Sequence, residues 1–167
     1  MKRNHAQNFR FILKFLVLVG LGISLLIIYL LTEQTPEETT QLSSFVAHGI
    51  YSALSFIGIS LQPDSLPFLN KLLRRLAHTA EFFVVGFFVA LAVLLWFKRR
   101  FGSVKCRNLA LGICVGLSLF DQTHKLFVVG REFDVLDLAF DAAGYLLALL
   151  VVMMLYRVVK DKRKDKA

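Results

Sequence analysis

Apolar residues gather into four stretches, and in three of them the uncharged run stops short of a membrane's width. The runs Phe82 to Phe97, Asn108 to Phe120 and Ala142 to Tyr156 hold 16, 13 and 15 residues. A helix that crosses the hydrocarbon core needs about 20. The missing turns carry polar residues on one side of the membrane: His78 and Glu81, then Asp121, His124 and Lys125, then Asp137 and Asp141. The first stretch, Phe15 to Leu31, follows a basic segment containing Lys2, Arg3, Arg10 and Lys14. That layout is like a secretory signal, but Thr32-Glu33-Gln34 offers no small-residue cleavage site, so a retained anchor is expected. The pattern predicts spans over residues 11–31, 77–97, 108–128 and 136–156, with an outer linker over 32–76.

Composition supports the membrane reading. The 167 residues are 56% hydrophobic and 19% charged, with a mean hydropathy of +0.62. Charged residues make up about 25% of an ordinary soluble domain. The length allows a single integral membrane domain over residues 1–167 and leaves no room for a second folded unit. Cys106 and Cys114 are separated by about 12 Å along one predicted helix, beyond the reach of a disulfide.

Charge then sets the orientation. Fifteen of the 20 Lys and Arg lie in residues 1–14, 98–107 and 157–166, and ten of the 12 Asp and Glu lie in residues 33–64 and 81–141. Four spans put all three basic clusters on one side, which the positive-inside rule makes cytoplasmic. Both termini are then inside, in the cytoplasmic membrane of a bacterium, and the linker and the turn around Arg131 are outside. A fifth span over Phe45 to Leu61 would put two basic clusters on the wrong side. With His48, Ser52, Ser55 and two glycines, that segment is expected as a helix lying on or dipping into the outer surface. The fold class is therefore an all-α integral membrane protein, a four-helix transmembrane bundle with an outer-face interfacial or re-entrant helix.

Depth and spacing bring the charges together. Counted from the cytoplasmic ends, Glu81, Asp121 and Asp141 lie roughly 24, 20 and 22 Å into a core about 30 Å thick. Short Asp side chains cannot snorkel to water from there, so a shared polar pocket opening outward is expected. Arg74, His78 and Glu81 share one helix face, as do Asp121, His124 and Lys125. Asp134, Asp137, Asp141 and Gly144 form a stripe down the last span. The small residues Ala142, Ala143 and Gly144 invite close approach of a neighbouring helix. His78, Glu81, Asp121, His124, Arg131 and Asp137 are expected to converge, with Asp141 the most buried of the set.

Two blocks carry a family resemblance. Arg74 to Gly86, RRLAHTAEFFVVG, and Asp121 to Gly144, DQTHKLFVVGREFDVLDLAFDAAG, together resemble the VanZ-like membrane protein family. The family's features are a basic residue and His leading into the second span, an acidic or aromatic position three residues on, an Asp-Glu-x-x-Gln motif, a Gly-Arg turn, spaced Asp residues and a Gly. Gln122 stands where the family usually has Glu, and Lys125 where it usually has Gln. The family takes its name from a protein associated with low-level resistance to glycopeptide antibiotics such as teicoplanin, and the resemblance supplies no biochemical activity.

Two function classes follow. In the first, the outward pocket binds an anionic lipid headgroup, a lipid-linked cell-wall precursor or a lipoglycopeptide. Arg74, Arg75, Lys125 and Arg131 hold the anion, while Asp121, Asp134, Asp137 and Asp141 orient those cations and bond hydroxyls or amines. Arg131 is the foremost anchor, since it follows Gly130 and carries a bidentate fork. In the second, the chain is a membrane enzyme on a lipid-linked phosphate substrate. His78 or His124 is then base or nucleophile, Glu81 or Asp137 orients it, and Arg131 holds phosphate. A coupled transporter is disfavoured by four short helices and the lack of an inverted repeat. Two His and several Asp without His-x-x-x-His spacing give no metal site, and no cofactor is expected. Membrane lipids are the expected partners. The net charge of +8 does not indicate nucleic acid, because the basic residues border spans. The topology has a direct check: in a background without native cysteines, a cysteine at position 131 should label from outside and one at 103 from the cytoplasm.

Overall fold

The computed structural model describes residues 2–56, 58 and 66–164. Leu61, at the end of the expected outer helix, and Lys166, in the C-terminal basic cluster, lie outside the described residues. The described residues contain helices and no strands. Helix α1 covers Lys2–Thr32 and α2 covers Pro36–Phe56. Helix α3 covers Leu66–His124 in two arms that meet at Gly102, a 3-10 turn covers Lys125–Phe127, and α4 covers Val135–Lys164. Four segments are long and apolar enough to cross a membrane: Gln7–Thr32, Leu66–Lys98, Arg100–Phe127 and Val135–Lys162. The chain is thus a multi-pass membrane protein, and α2 is not among the candidate spans.

The linker expected over 32–76 is shorter than the spacing suggests. The helix of the second span begins at Leu66. Pro67 is tolerated in a first turn, where its missing N–H costs nothing. Leu69, Leu72, Leu73 and Leu76 then recur with helical period. This extension places Arg74 and Arg75 on the helix, in register with His78 and Glu81. The loop expected around residue 103 also contracts, to Gly102 with φ 75° and ψ 176°. A left-handed φ of this kind favours glycine.

Helix α2 starts with a capping box. Glu38 N–H points at Thr35 Oγ1 (3.4 Å), and Thr35 N–H donates to Glu38 Oε2 (2.9 Å), so two orphan donors are met reciprocally. Pro36 occupies the first helical position, which suits its fixed φ. Asn70 Nδ2 donates to Ser44 Oγ (3.1 Å) and ties α2 to the start of α3. The opposite face of α2 exposes Phe45 and Phe56.

The core lies between the first arm of α3 and α4, joined by the second arm. Phe82, Val85, Val89, Ala90, Val93, Cys106, Ala110, Cys114, Leu149 and Val152 are buried there. Both cysteines are free. Two glycines set the spacing. A Cβ on Gly86 would lie 2.9 Å from Tyr145 Cα, and one on Gly144 would lie 2.9 Å from Phe83 N and collide with the Thr79 carbonyl. The backbones therefore touch at two levels, as small residues permit in membrane helices. Thr79 Oγ1 uses the proximity to donate to Phe140 O at 3.0 Å. At the far end, Lys14 Nζ lies 4.8 Å from the Trp96 ring centroid and Lys98 Nζ lies 5.0 Å from that of Tyr156. Those cation–π contacts link α1 to α3 and α3 to α4 where the basic clusters fall.

Gly144→Ala should destabilise the protein by about 1–3 kcal/mol, because the added methyl meets backbone that cannot rotate away. Gly112→Ala should be neutral or slightly stabilising, since nothing lies within 4 Å of its Cβ position and Ala is the better helix former. Thermal unfolding in matched detergent distinguishes the two.

Candidate functional site

Helical periodicity builds the site from three stripes. The first arm of α3 contributes Arg74, His78 and Glu81. The second arm and the turn after it contribute Ser118, Asp121, Gln122 and Lys125, at intervals of three, one and three. Helix α4 contributes Asp134, Asp137 and Asp141. Ser118, Asp121, Gln122, Lys125 and Asp141 are all buried.

Lys125 is the centre of the inner group, with only 2% of its surface exposed. Its Nζ lies 3.1 Å from Asp137 Oδ2, 3.6 Å from Asp121 Oδ2 and 3.4 Å from His78 Nε2. An ammonium can only donate, so in this contact His78 Nε2 accepts, which puts the ring proton on Nδ1; the same Nε2 also lies 3.6 Å from Asp137 Oδ2. That Nδ1 faces Glu81 Oε2 at 3.6 Å and Asp141 Oδ1 at 3.8 Å. Ser118 Oγ donates to Asp141 Oδ2 at 2.8 Å, and Thr32 Oγ1 donates to Asp121 Oδ1 at 2.5 Å. Asp141 is wholly buried, as the depth count suggests, and its one hydrogen bond here is from Ser118.

The outer residues divide. Asp134 caps α4 by accepting from Leu136 N–H at 2.8 Å, and its carboxylate lies 3.6 Å from Arg75 Nη2. Arg131 follows Gly130, whose φ of 77° makes the turn. Its guanidinium does not stand free. Nε donates to Gln34 O at 2.8 Å, and Nη2 donates to Leu31 O at 3.1 Å and Thr39 Oγ1 at 2.8 Å. It straps the end of α1 to the start of α2. Burial and the neighbouring charge of Arg74 push its pKa below the usual arginine value, and it remains protonated. Arg74 is different: among the described residues it makes no hydrogen bond or ion pair.

His124 does not join His78. It lies 3.2 Å from Glu33 Oε1 and stacks on Tyr29 and Phe120 at centroid distances of 5.3 and 6.0 Å. The helical wheel gives the reason. At 3.6 residues per turn, position 124 falls about 110° from the centre of the stripe through 118, 121, 122 and 125. The structure therefore brings together His78, Glu81, Asp121, Lys125, Asp137 and Asp141, sets Arg75 and Asp134 beside them, commits Arg131 to the α1–α2 junction, and turns His124 to α1. Sequence reasoning missed Thr32, Glu33, Gln34, Thr39 and Ser118. Ser118 was findable, three residues before Asp121 on one face. The others sit in or beside a linker, where no periodicity points.

Three cavities border this group, one of them, about 200 Å³, an apolar space beside Asp121 and His124; the other two carry its polar side chains. The larger, about 520 Å³, lies between the α1–α2 junction and α3, with Val46, Leu73 and Leu76 on its apolar side and Arg74, His78, Glu81 and Arg131 on its polar side. The smaller, about 340 Å³, is lined by Lys71, Arg74, Arg75, His78, Asp134 and Asp137, among others. Arg74 and His78 border both. Among the described residues no three His, Cys, Asp or Glu side chains are grouped to hold a metal ion.

Fold and site define a helical multi-pass membrane protein with a charged cluster set among its spans. The chain belongs to the VanZ/LLP1 family, whose sequence model matches residues 11–157. No curated protein and no solved structure gave a significant match. Both departures from the family's usual pattern fall inside the cluster. Lys125 is its hub, and Gln122 is wholly buried with neither amide atom hydrogen-bonded.

Lys125→Met should cost about 3–5 kcal/mol, because it leaves Asp121 and Asp137 as buried charges without their cation. Adding Asp137→Asn should recover part of that loss, so the double variant unfolds at a higher temperature than the sum of the single effects predicts.

Proposed function

We propose that the chain resides in the bacterial cytoplasmic membrane, termini inside, and that its outward cleft binds the anionic headgroup of an amphiphile. The candidates are a membrane lipid, a lipid-linked envelope precursor and a glycopeptide-type antibiotic, and capture of the last would contribute to resistance. The observation that carries this reading is Arg74. Among the described residues its side chain is unengaged, and it borders an apolar cavity and a polar one. A guanidinium there can fork onto a phosphate or carboxylate, while Leu73, Leu76 and Val46 accept an apolar chain. Arg131, three of whose five donors are occupied, serves the cleft by fixing the α1–α2 junction that walls it.

The state of His78 favours binding over catalysis. A general base needs an available lone pair within reach of substrate. The lone pair of Nε2 faces Lys125, and Nδ1 carries the proton. His124, stacked between two aromatic rings beside Glu33, lies away from the cleft's polar wall.

Binding of phosphatidylglycerol and teicoplanin to the purified protein tests the reading. Arg74→Ala should weaken binding about tenfold or more, the scale of a charge-assisted contact, and Arg74→Lys should weaken it less. In a sensitive host with matched membrane levels, Arg74→Ala should erase any growth advantage against teicoplanin, and His78→Gln should keep it. Unchanged binding in Arg74→Ala would reject the anion site, and loss of function in a well-folded His78→Gln would favour the enzyme.

A further inference from the structure

The cleft is polarised from mouth to floor. Its mouth carries Lys71, Arg74 and Arg75, with Asp134 the carboxylate facing them. Below the mouth stand four carboxylates: Glu81 lines the larger cavity, Asp137 lines the smaller, and Asp121 and Asp141 are buried behind them. Among the described residues, Lys125 is the one Lys or Arg within 4 Å of any of those four, and it reaches only Asp121 and Asp137. Glu81 and Asp141 meet no permanent cation at that distance.

Among the described residues, hydrogen bonding is incomplete at the same place. Asp141 Oδ1, on a side chain with no exposed surface, has no hydrogen-bond partner and is aimed at His78 Nδ1. Asp121 Oδ2 lacks a hydrogen bond, and so do both amide atoms of the wholly buried Gln122. Donors stand nearby: Gln122 is beside Asp141, Lys125 Nζ is 3.6 Å from Asp121 Oδ2, and the His78 Nδ1–H, at 3.6 and 3.8 Å from Glu81 and Asp141, bonds neither. Buried acceptors without donors are costly, and native structures fill such places. His78 and Glu81 line the larger cavity, so a group arriving along it meets Glu81 at the edge of the acceptor-rich floor.

We infer that the ligand of this cleft carries an ammonium group beside its anionic group, with the anion at Arg74 and the ammonium directed to Glu81 beside His78, all three of which line the larger cavity. The inference rests on the reading of the cleft as an amphiphile site and narrows its ligand to zwitterions. A phosphate next to an amine, in an aminophospholipid, and a carboxylate with an amine, in a peptide antibiotic, share this chemistry. An ammonium supplies three donors and a positive charge, and so answers both deficits at once.

Two matched pairs of probes test it on the full-length protein in detergent, read by native mass spectrometry. One pair is phosphatidylethanolamine and its N-acetyl derivative. The other is teicoplanin and its N-acetyl derivative. Acetylation removes the ammonium and keeps the anion and the apolar part. In at least one pair the amine form should bind about tenfold more tightly, the scale of one charge-assisted hydrogen bond, and the pair that responds identifies the source. Glu81→Gln, which keeps shape and relieves a buried charge, should abolish the preference. Arg74→Ala should weaken both members of that pair alike. Equal binding within both pairs, with the Arg74 dependence intact, overturns the inference and leaves the anion site standing. So does a preference that survives Glu81→Gln, or failure of all four probes to bind while phosphatidylglycerol does. Unaltered binding in Arg74→Ala overturns the anion site and this inference together.

Discussion

A lysine ammonium held at membrane depth must be matched where it stands, because neither lipid nor distant charge can do it. Lys125 Nζ meets that requirement with groups from all three elements of the core: His78 from the first arm of α3, Asp121 from the second, and Asp137 from α4. The helices can meet around it because Gly86 and Gly144 let two backbones touch. Cluster and packing therefore support each other. The close approach keeps the carboxylates within reach of the ammonium, and the ammonium makes the approach of several carboxylates tolerable.

The cations at this end of the bundle differ in how far each is engaged. Lys125 is fully committed inside the bundle. Arg131 spends its fork on the Leu31 and Gln34 carbonyls and the Thr39 hydroxyl, answering acceptors that the end of α1 leaves open. Arg75 faces Asp134, itself the cap of α4. Arg74 alone among these four has no such engagement in the described residues, and it borders both of the larger cavities. The residue left without a partner is one that sequence reasoning ranks as one anchor among several.

Stripes were legible in the sequence, and partners were not. The spacing of Asp134, Asp137, Asp141 and Gly144 placed them on one face, and the depth count brought them level with Glu81 and Asp121. Those inferences rest on the helix period alone. An interval of three from Asp121 is not enough to place His124 in the cluster, because the buried stripe also runs through Ser118, Gln122 and Lys125 and leaves position 124 off its edge. Arg131 was read from its glycine and its fork. Its true partners are backbone carbonyls and a threonine about 90 to 100 residues earlier, and no local pattern encodes such pairs. The helix boundary at Leu66 was missed because Arg74 and Arg75 look like the end of a span when they sit within one.

The Gly102 junction gives the bundle a ruler. His78 precedes it by 24 residues and Lys125 follows it by 23, so two arms of nearly equal length leave one hinge and deliver their polar groups to the same height. No slack loop intervenes to absorb an error. One residue added to either arm between Gly102 and the cluster would lift that arm's side chains by about 1.5 Å and swing them by about 100°. A hairpin this taut makes the distance between His78 and Lys125 a property of arm length, set at the opposite face of the membrane from the place where it is used.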